Sequence, residues 1–269
     1  MICVKLFCIA GGVGANIFVT MAASMPDSIQ VKGLDIPAEA PDIRSISEKL
    51  AAEIAGSVEA GESYALFGYC IGAVTGYETV CRLAEKEQTM PCMLIVNGSE
   101  PPDSQRLAGP EGAEAAESPE FRAMLSQFFS DELLENAEDC RRRYLEIYLK
   151  RLRDGDTSDI TAAEVADGSD DEFILEQLIG LVNSFALRLD SDRKMLREYM
   201  SSDLTGTTIS CPIKVMAGES DDFVDKKALE GWQRFTTASA SIVPISGGHH
   251  MLMNDTANFA SALGHIINS

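Results

Sequence analysis

Histidine is scarce in this chain, and the scarcity limits where base chemistry can be placed. Three histidines occur in 269 residues, at positions 249, 250 and 265. Basic side chains are also few: 22 Lys and Arg stand against 42 Asp and Glu, a net charge of −20. That balance excludes nucleic acid and anionic membrane as expected partners, because both call for a cationic surface. No apolar run approaches the ~18 residues of a membrane-spanning helix. The opening MICVKLFCIAGG lacks the basic segment, long apolar segment and small-residue cleavage site of a signal peptide, and reads as a strand entering a loop. The seven cysteines are an odd number, and no pair has metal-ligand spacing with a histidine nearby. Most lie in apolar stretches, where a thiol behaves as a small hydrophobe. The expectation is a reduced, cytoplasmic protein with no metal and no cofactor.

What is present is ordinary globular material, 45% hydrophobic and 24% charged, arranged in two styles. Over the first hundred residues strand and helix signals alternate. ICVKLFCIA, SIQVKGLDI (ending at Pro37), SYALFGYC and CMLIVNG read as strands. Ile43, Ile46, Leu50 and Ile54 recur at helical spacing up to Gly56, and Val74, Tyr77, Val80 and Ala84 mark a second helix face. Alternation of this kind predicts a parallel sheet with helices on both faces. From about residue 103 the style changes. AGPEGAEAAE reads as a linker, and residues 118–153 and 172–200 read as helices. The stretch DGDTSDITAAEVADGSDDE between them, with eight carboxylates and no Lys or Arg, reads as a solvated loop. Alternation resumes at PIKVMAGES, with a helix around Trp232, the strand SIVPIS and a last helix from Thr256. The expected layout is an α/β core over residues 1–102 and 205–269, interrupted by a helical insertion over 103–204.

The chemistry points to FGYCIGA. Gly68-Tyr69-Cys70-Ile71-Gly72 has the small-x-nucleophile-x-small form of a nucleophile elbow, with a strand before it and a helix after it. The backbone of such a nucleophile is strained, and side chains two residues to either side would collide with neighbouring backbone. Cysteine stands where serine is usual. The free N–H groups of the following helix favour negative charge at the thiol. A cysteine nucleophile needs a base. His249 and His250, in SGGHHML after the last strand, stand where a catalytic histidine of this fold class belongs, and His249 is the expected base. His250 is expected to pack or line the pocket, and His265 lies within the last helix. VMAGESDDFV offers Glu219, Asp221 and Asp222 to orient the imidazole. Asp221 is the choice and Asp222 remains open. The order nucleophile, acid, histidine is that of α/β-hydrolases. An oxyanion hole is expected from the backbone N–H of Ile71 and of Gly11, with Gly12 close behind. A nucleotide-phosphate role for these glycines finds no GxGxxG or GK[ST] to support it.

Together these stretches resemble the thioesterases of nonribosomal-peptide and polyketide synthesis. LFCIAGGVGANIF is similar to the family's opening strand and oxyanion loop, with Ala10 where proline is usual. FGYCIGA stands where the family has G-x-S-x-G, and CPIKVMAGESDDFV, GWQRFT and ISGGHHML are similar to its closing run. Terminal thioesterase domains often carry their acid at the strand that here reads LIVNGSEPP, which holds no Asp; the acid at Asp221 instead resembles the stand-alone type II branch. The resemblance implies an α/β-hydrolase fold with a mostly parallel sheet and a helical lid insertion. It implies action on acyl or aminoacyl groups held as thioesters on a phosphopantetheinyl carrier protein, with release by hydrolysis, cyclisation or transfer. Cysteine versions of the fold resemble acyl-shuttling transferases and some cyclising release domains. GYCIGA also resembles dienelactone hydrolases, which lack so long an insertion. A non-catalytic carrier-docking protein is a third reading, and it predicts no meeting of Cys, Asp and His on three strand ends. For docking, the basic segment 140–154 is the candidate surface, with Arg142 and Arg151 as its marker residues. Pairing of these charges with the acidic loop after them is the alternative.

Overall fold

A computed structural model of the chain describes residues 4–11, 14–36, 41–59, 61–104, 119–166, 168, 172–202 and 207–269. It divides into two compact units, residues 1–108 with 192–269, and residues 109–191.

The first unit is built on six strands: β1 (Val4–Ala10), β2 (Ile29–Leu34), β3 (Tyr64–Tyr69), β4 (Leu94–Asn97), β5 (Ile213–Gly218) and β6 (Ala240–Ile245). All pair in parallel, in the order β2-β1-β3-β4-β5-β6. The period-2 rule of a strand sorts their side chains into two cores. Phe7 and Ile9 of β1 face one side, where they pack with α2 (Ile43–Ser57) and α3 (Ile71–Glu85). Leu6, Cys8 and Ala10 face the other, with α1 (Ile17–Ser24) and the C-terminal helix Thr256–Ile267. Helices thus cover both faces, as expected of an all-parallel sheet. Ile43, Ile46, Leu50 and Ile54 are buried as the periodicity predicts, and Asp42 caps their helix by accepting from the Ser45 N–H at 2.7 Å. Ala84 departs from expectation: the helix end leaves the core there and Ala84 is exposed. The segment around Trp232 is a 3₁₀ helix, Ala228–Phe235. Its indole is fully buried and donates to the Ser99 carbonyl at 3.1 Å. The linker-like stretch 108–117 and Pro37 lie outside the described residues.

The second unit is helical. The single helix expected over 118–153 is two, α4 (Pro119–Phe128) and α5 (Ala137–Asp154), separated by turns at 129–136. Leu134 is buried within that turn and joins the same core as Phe121, Leu125, Tyr144, Leu175 and Ile179, so the chain reverses rather than continuing. Gly155, at φ 67, ends α5. The acidic stretch after it holds a short helix, α6 (Ala162–Val165), stabilised by a capping box between Thr161 and Glu164. The last helix, α7 (Glu172–Met200), contributes Leu175, Ile179 and Val182 to this core. Its residues from 192 count with the first unit, because Met195, Leu196 and Tyr199 pack into the core beside α2 and α3.

Tyr199 also reaches a buried charge pair on α3. Glu78 and Arg82 are each at most 2% exposed and stand 2.9 Å apart, and the Tyr199 hydroxyl donates to Glu78 at 2.8 Å. Burial pushes the Glu78 carboxyl up, while Tyr199 and Arg82 oppose that shift. Removing one member of such a pair leaves the other uncompensated. Arg82→Met is therefore expected to cost about 3 kcal/mol in urea unfolding. The double change Glu78→Leu/Arg82→Met should recover most of that loss.

Candidate active site

The sheet order reverses between β1 and β3, and the loops at the carboxyl ends of parallel strands beside such a reversal are where ligands bind. Gly11 follows β1, Cys70 follows β3, Asp221 lies just past β5 and His249 just past β6.

Cys70 has φ 56 and ψ −128, a conformation costly for a residue with a side chain. Its neighbours explain how it is held. A Cβ on Gly68 would lie 2.3 Å from the Gly72 carbonyl oxygen, and one on Gly72 would lie 2.2 Å from the Ile9 carbonyl oxygen. Both positions therefore require glycine. The Cys70 N–H donates to the Asn97 carbonyl at 2.9 Å, and the buried Asn97 side chain donates to the Met216 carbonyl at 2.9 Å, so the turn is tied through β4 to β5. Helix α3 begins at Ile71, which places its amide among the unsatisfied N–H groups of a helix start. Gly11 is buried directly against Ile71: a Cβ on Gly11 would come 2.1 Å from Ile71 Cγ2. The structure thus brings Gly11 and Ile71 together beside Cys70. Gly12 lies outside the described residues.

The acid and histidine loops are joined by backbone. Glu219 N–H donates to the Ile245 carbonyl and Ser220 N–H to the Gly247 carbonyl, each at 2.9 Å. Asp221 is 5% exposed, whereas Glu219 and Asp222 face solvent. His249 Nδ1 lies 3.1 and 3.2 Å from the two Asp221 carboxylate oxygens. Cys70 is near enough to His249 to contribute to its electrostatics. Burial, the largest single influence, disfavours the charged imidazole. The hydrogen bonds and negative charges of Asp221 and Cys70 together outweigh it, and the His249 pKa is pushed up to about 10.

Other contacts were not visible in the sequence. Gly98, at φ 63, leaves room for the imidazole, since a Cβ there would be 2.9 Å from His249 Cε1. Phe223 packs edge-on to the His249 ring at 4.9 Å. Tyr69 and His250 also flank the base, with ring centroids 5.7 and 5.2 Å from His249. Burial, followed by the negative charges of Cys70 and Asp221, raises the Tyr69 pKa. Burial and the positive charge of His249 lower that of His250, against a smaller opposing effect of Asp221. A glycine after an apolar strand, as in VNG, was the one available hint of Gly98.

His265 lies on the last helix, away from this constellation in sequence and not among its contacts. The two arginines named as docking markers sit on α5. Arg142 pairs with Asp139 at 2.7 Å and its side chain is 59% exposed. Arg151 is 17% exposed, pairs with Glu164 at 2.6 Å and donates to the Ser158 carbonyl at 2.9 Å. Among the described residues, no helix is long and apolar enough to cross a membrane.

The thioesterase domain family matches residues 4–268. A comparison with curated protein sequences gives no match. Among solved structures, the chain is similar to ClbQ from the colibactin NRPS/PKS pathway, with TM-score 0.65 and 17% identity over 99% of this chain and 97% of that one. It is similar to the RedJ thioesterase from the prodiginine biosynthetic pathway in Streptomyces coelicolor, with TM-score 0.64 and 18% identity over 97% and 89%. It is also similar to the type II thioesterase BorB from the borrelidin biosynthetic cluster, with TM-score 0.63 and 18% identity over 98% and 92%.

The electrostatics carry a testable sign. A free imidazole loses its proton near about 6.5, whereas His249 keeps its proton up to about 10. Proton NMR of the His249 Cε1–H should therefore show no titration through neutral pH. In Asp221→Asn the carboxylate is gone and burial remains, so the midpoint should fall back toward the ordinary range.

Proposed function

The chain belongs to the thioesterase domain family of α/β-hydrolase enzymes, and from that premise we propose that it acts on acyl or aminoacyl thioesters through an acyl-enzyme on Cys70. The observation that carries the reading is the meeting of three strand-end loops: His249 bonded to a buried Asp221, with Cys70 close enough to raise the imidazole's pKa.

The thiolate form of a cysteine is the nucleophile. With the proton held on His249, Cys70 Sγ attacks the thioester carbonyl. Negative charge develops on the carbonyl oxygen, and the backbone N–H groups of Ile71 and Gly11 are the donors proposed to receive it. The carbon–sulfur bond to the leaving thiol then breaks, and His249 gives that sulfur its proton. An incoming water, amine or thiol loses a proton to the now neutral His249 and attacks the acyl carbon; the carbon–sulfur bond to Cys70 breaks, returning the thiolate beside protonated His249. Asp221 holds the tautomer that permits both transfers.

Nonribosomal-peptide and polyketide pathways are named for several of the similar structures, which supports a phosphopantetheinyl carrier protein as the donor. A thioester on cysteine is close in energy to the pantetheine thioester it came from. It stays reactive toward amines and thiols, so transfer competes with hydrolysis better than it would from a serine ester. The family match over nearly the whole chain supports this reading over that of a small-lactone hydrolase or a non-catalytic docking protein. We further propose that the basic face of α5 receives the carrier. The exposed Arg142 is the stronger marker there, because Arg151 is engaged by Glu164 and Ser158.

Two experiments test these proposals. Incubation with acyl-loaded carriers, with and without an empty second carrier, should yield a loaded second carrier if transfer dominates and free acid if hydrolysis does. Replacing Cys70 with Ser is expected to shift the balance toward slow hydrolysis or a stalled ester. His249→Ala should slow product formation about 10²–10⁴-fold, and unchanged turnover in that variant would remove His249 from the mechanism. For docking, Arg142→Glu should weaken turnover of the carrier-bound substrate and spare an N-acetylcysteamine thioester, with Arg151→Glu having the smaller effect. Equal losses on both substrates would exclude the docking role.

A further inference from the structure

The base stands on a pliable piece of chain. His249 follows Gly247, at φ 107, and Gly248, and two glycines give the backbone little stiffness of its own. Asp221 fixes Nδ1 of the ring, but that bond does not restrain the main chain that carries it. Backbone bonds hold the neighbours of His249, from Ser220 N–H to the Gly247 carbonyl and from Met251 N–H to the Gly248 carbonyl. At His249 itself a restraint comes from Tyr69. Its hydroxyl donates to the His249 carbonyl at 3.2 Å. Tyr69 is the last residue of β3 and the immediate neighbour of Cys70. The bond therefore joins the residue before the nucleophile to the base itself, across 180 positions of sequence.

His250 completes the arrangement. Its Nδ1 lies 3.5 Å from the same hydroxyl. A carbonyl only accepts, so the single phenolic proton is directed to His249, and the Tyr69 oxygen is left to accept from Nδ1–H. That assigns the proton of His250 to Nδ1 and leaves Nε2 bare. Nε2 is buried and has no hydrogen-bond partner among the described residues. Tyr69 is 3% exposed, so water does not compete freely for its hydroxyl.

We propose that Tyr69 and His250 are positioning residues. In this relay His250 Nδ1–H donates to the Tyr69 oxygen and Tyr69 O–H donates to the His249 carbonyl, holding the imidazole at its working distance from Cys70. The inference rests on the acyl-enzyme reading of Cys70 and His249. It adds two side chains that touch neither substrate nor reacting atoms.

The test uses the full chain and three variants. Tyr69→Phe keeps the packed ring and removes only the hydroxyl. His250→Asn keeps an amide nitrogen near the Nδ1 position, whereas His250→Gln carries its amide toward the Nε2 position. One measurement is Cys70 loading from an N-acetylcysteamine thioester, followed by intact mass for rate and KM. The other is the low-field proton NMR resonance of the His249 Nδ1–H bonded to Asp221. Tyr69→Phe and His250→Gln should slow loading about tenfold, the effect of one lost hydrogen bond, at unchanged KM, and should broaden or lose the resonance. His250→Asn should restore both. Wild-type rate and resonance in Tyr69→Phe, or equal effects of the Asn and Gln variants, would overturn the relay. If the wild-type protein takes up no acyl group, the acyl-enzyme reading fails. The resonance then decides the relay by itself: loss in Tyr69→Phe supports it and retention overturns it.

Discussion

The contact between the start of α3 and the end of β1 governs the rest of the site. Residue 72 approaches the Ile9 carbonyl so closely that a single added carbon would sit 2.2 Å from its oxygen. That approach accompanies the φ 56 conformation at Cys70, and Gly11 is pressed against Ile71 beside it. Strain of this kind persists only where the surroundings over-determine it. Here the surroundings are a sheet register that pairs Ala10 with Tyr69 and Tyr69 with Asn97, together with a helix buried along most of its length. A helix buried on all sides must satisfy its polar groups internally. Thr75 and Thr79 donate back to carbonyls on their own helix, and Glu78 meets Arg82 and Tyr199.

The electrostatics around His249 hold a proton on the imidazole. A base for serine should be neutral at rest, ready to take a proton. An imidazole that holds its proton to about 10 against burial, with Asp221 and Cys70 among the causes, is placed to hand that proton to a leaving group on the proposed mechanism. The buried Asp221 and Tyr69, with Phe223 packed edge-on, shield the ring from water, which strengthens its bond to Asp221. On the proposed mechanism the same proton serves the leaving thiol, so the resting state is already arranged for departure of a pantetheine sulfur.

Much of this was legible in the sequence because strands and elbows have short-range signatures. Apolar and alternating stretches placed all six strands, and the glycine pair around Cys70 marked the turn. The interval from Asp221 to His249 matched a strand end, helix, strand and loop. The one-residue choice between Asp221 and Asp222 was not legible, since it depends on which way a loop turns, and burial of Asp221 decides the contact with His249. The break between α4 and α5 was hidden because FFSDELLENA keeps enough apolar residues to mimic a helix face. Its leucine at 134 turns inward to cap the core instead. The first helix escaped notice because its apolar residues lie on all sides, leaving no periodic stripe. Gly98 and Tyr69 meet the base through contacts between distant loops, and spacing carries no trace of those; His250 beside the base is the one such neighbour the sequence anticipates.

The central claim is a covalent bond between an acyl group and Cys70. Its most direct measurement is rapid acid quenching of the wild-type protein after mixing with an acyl thioester, followed by proteolysis and mass mapping of the peptide that contains FGYCIGA. The account predicts an adduct of the acyl mass on Cys70, formed no more slowly than product and absent from the other six cysteines. Product release with Cys70 unmodified throughout, or an adduct confined to another residue, would contradict it.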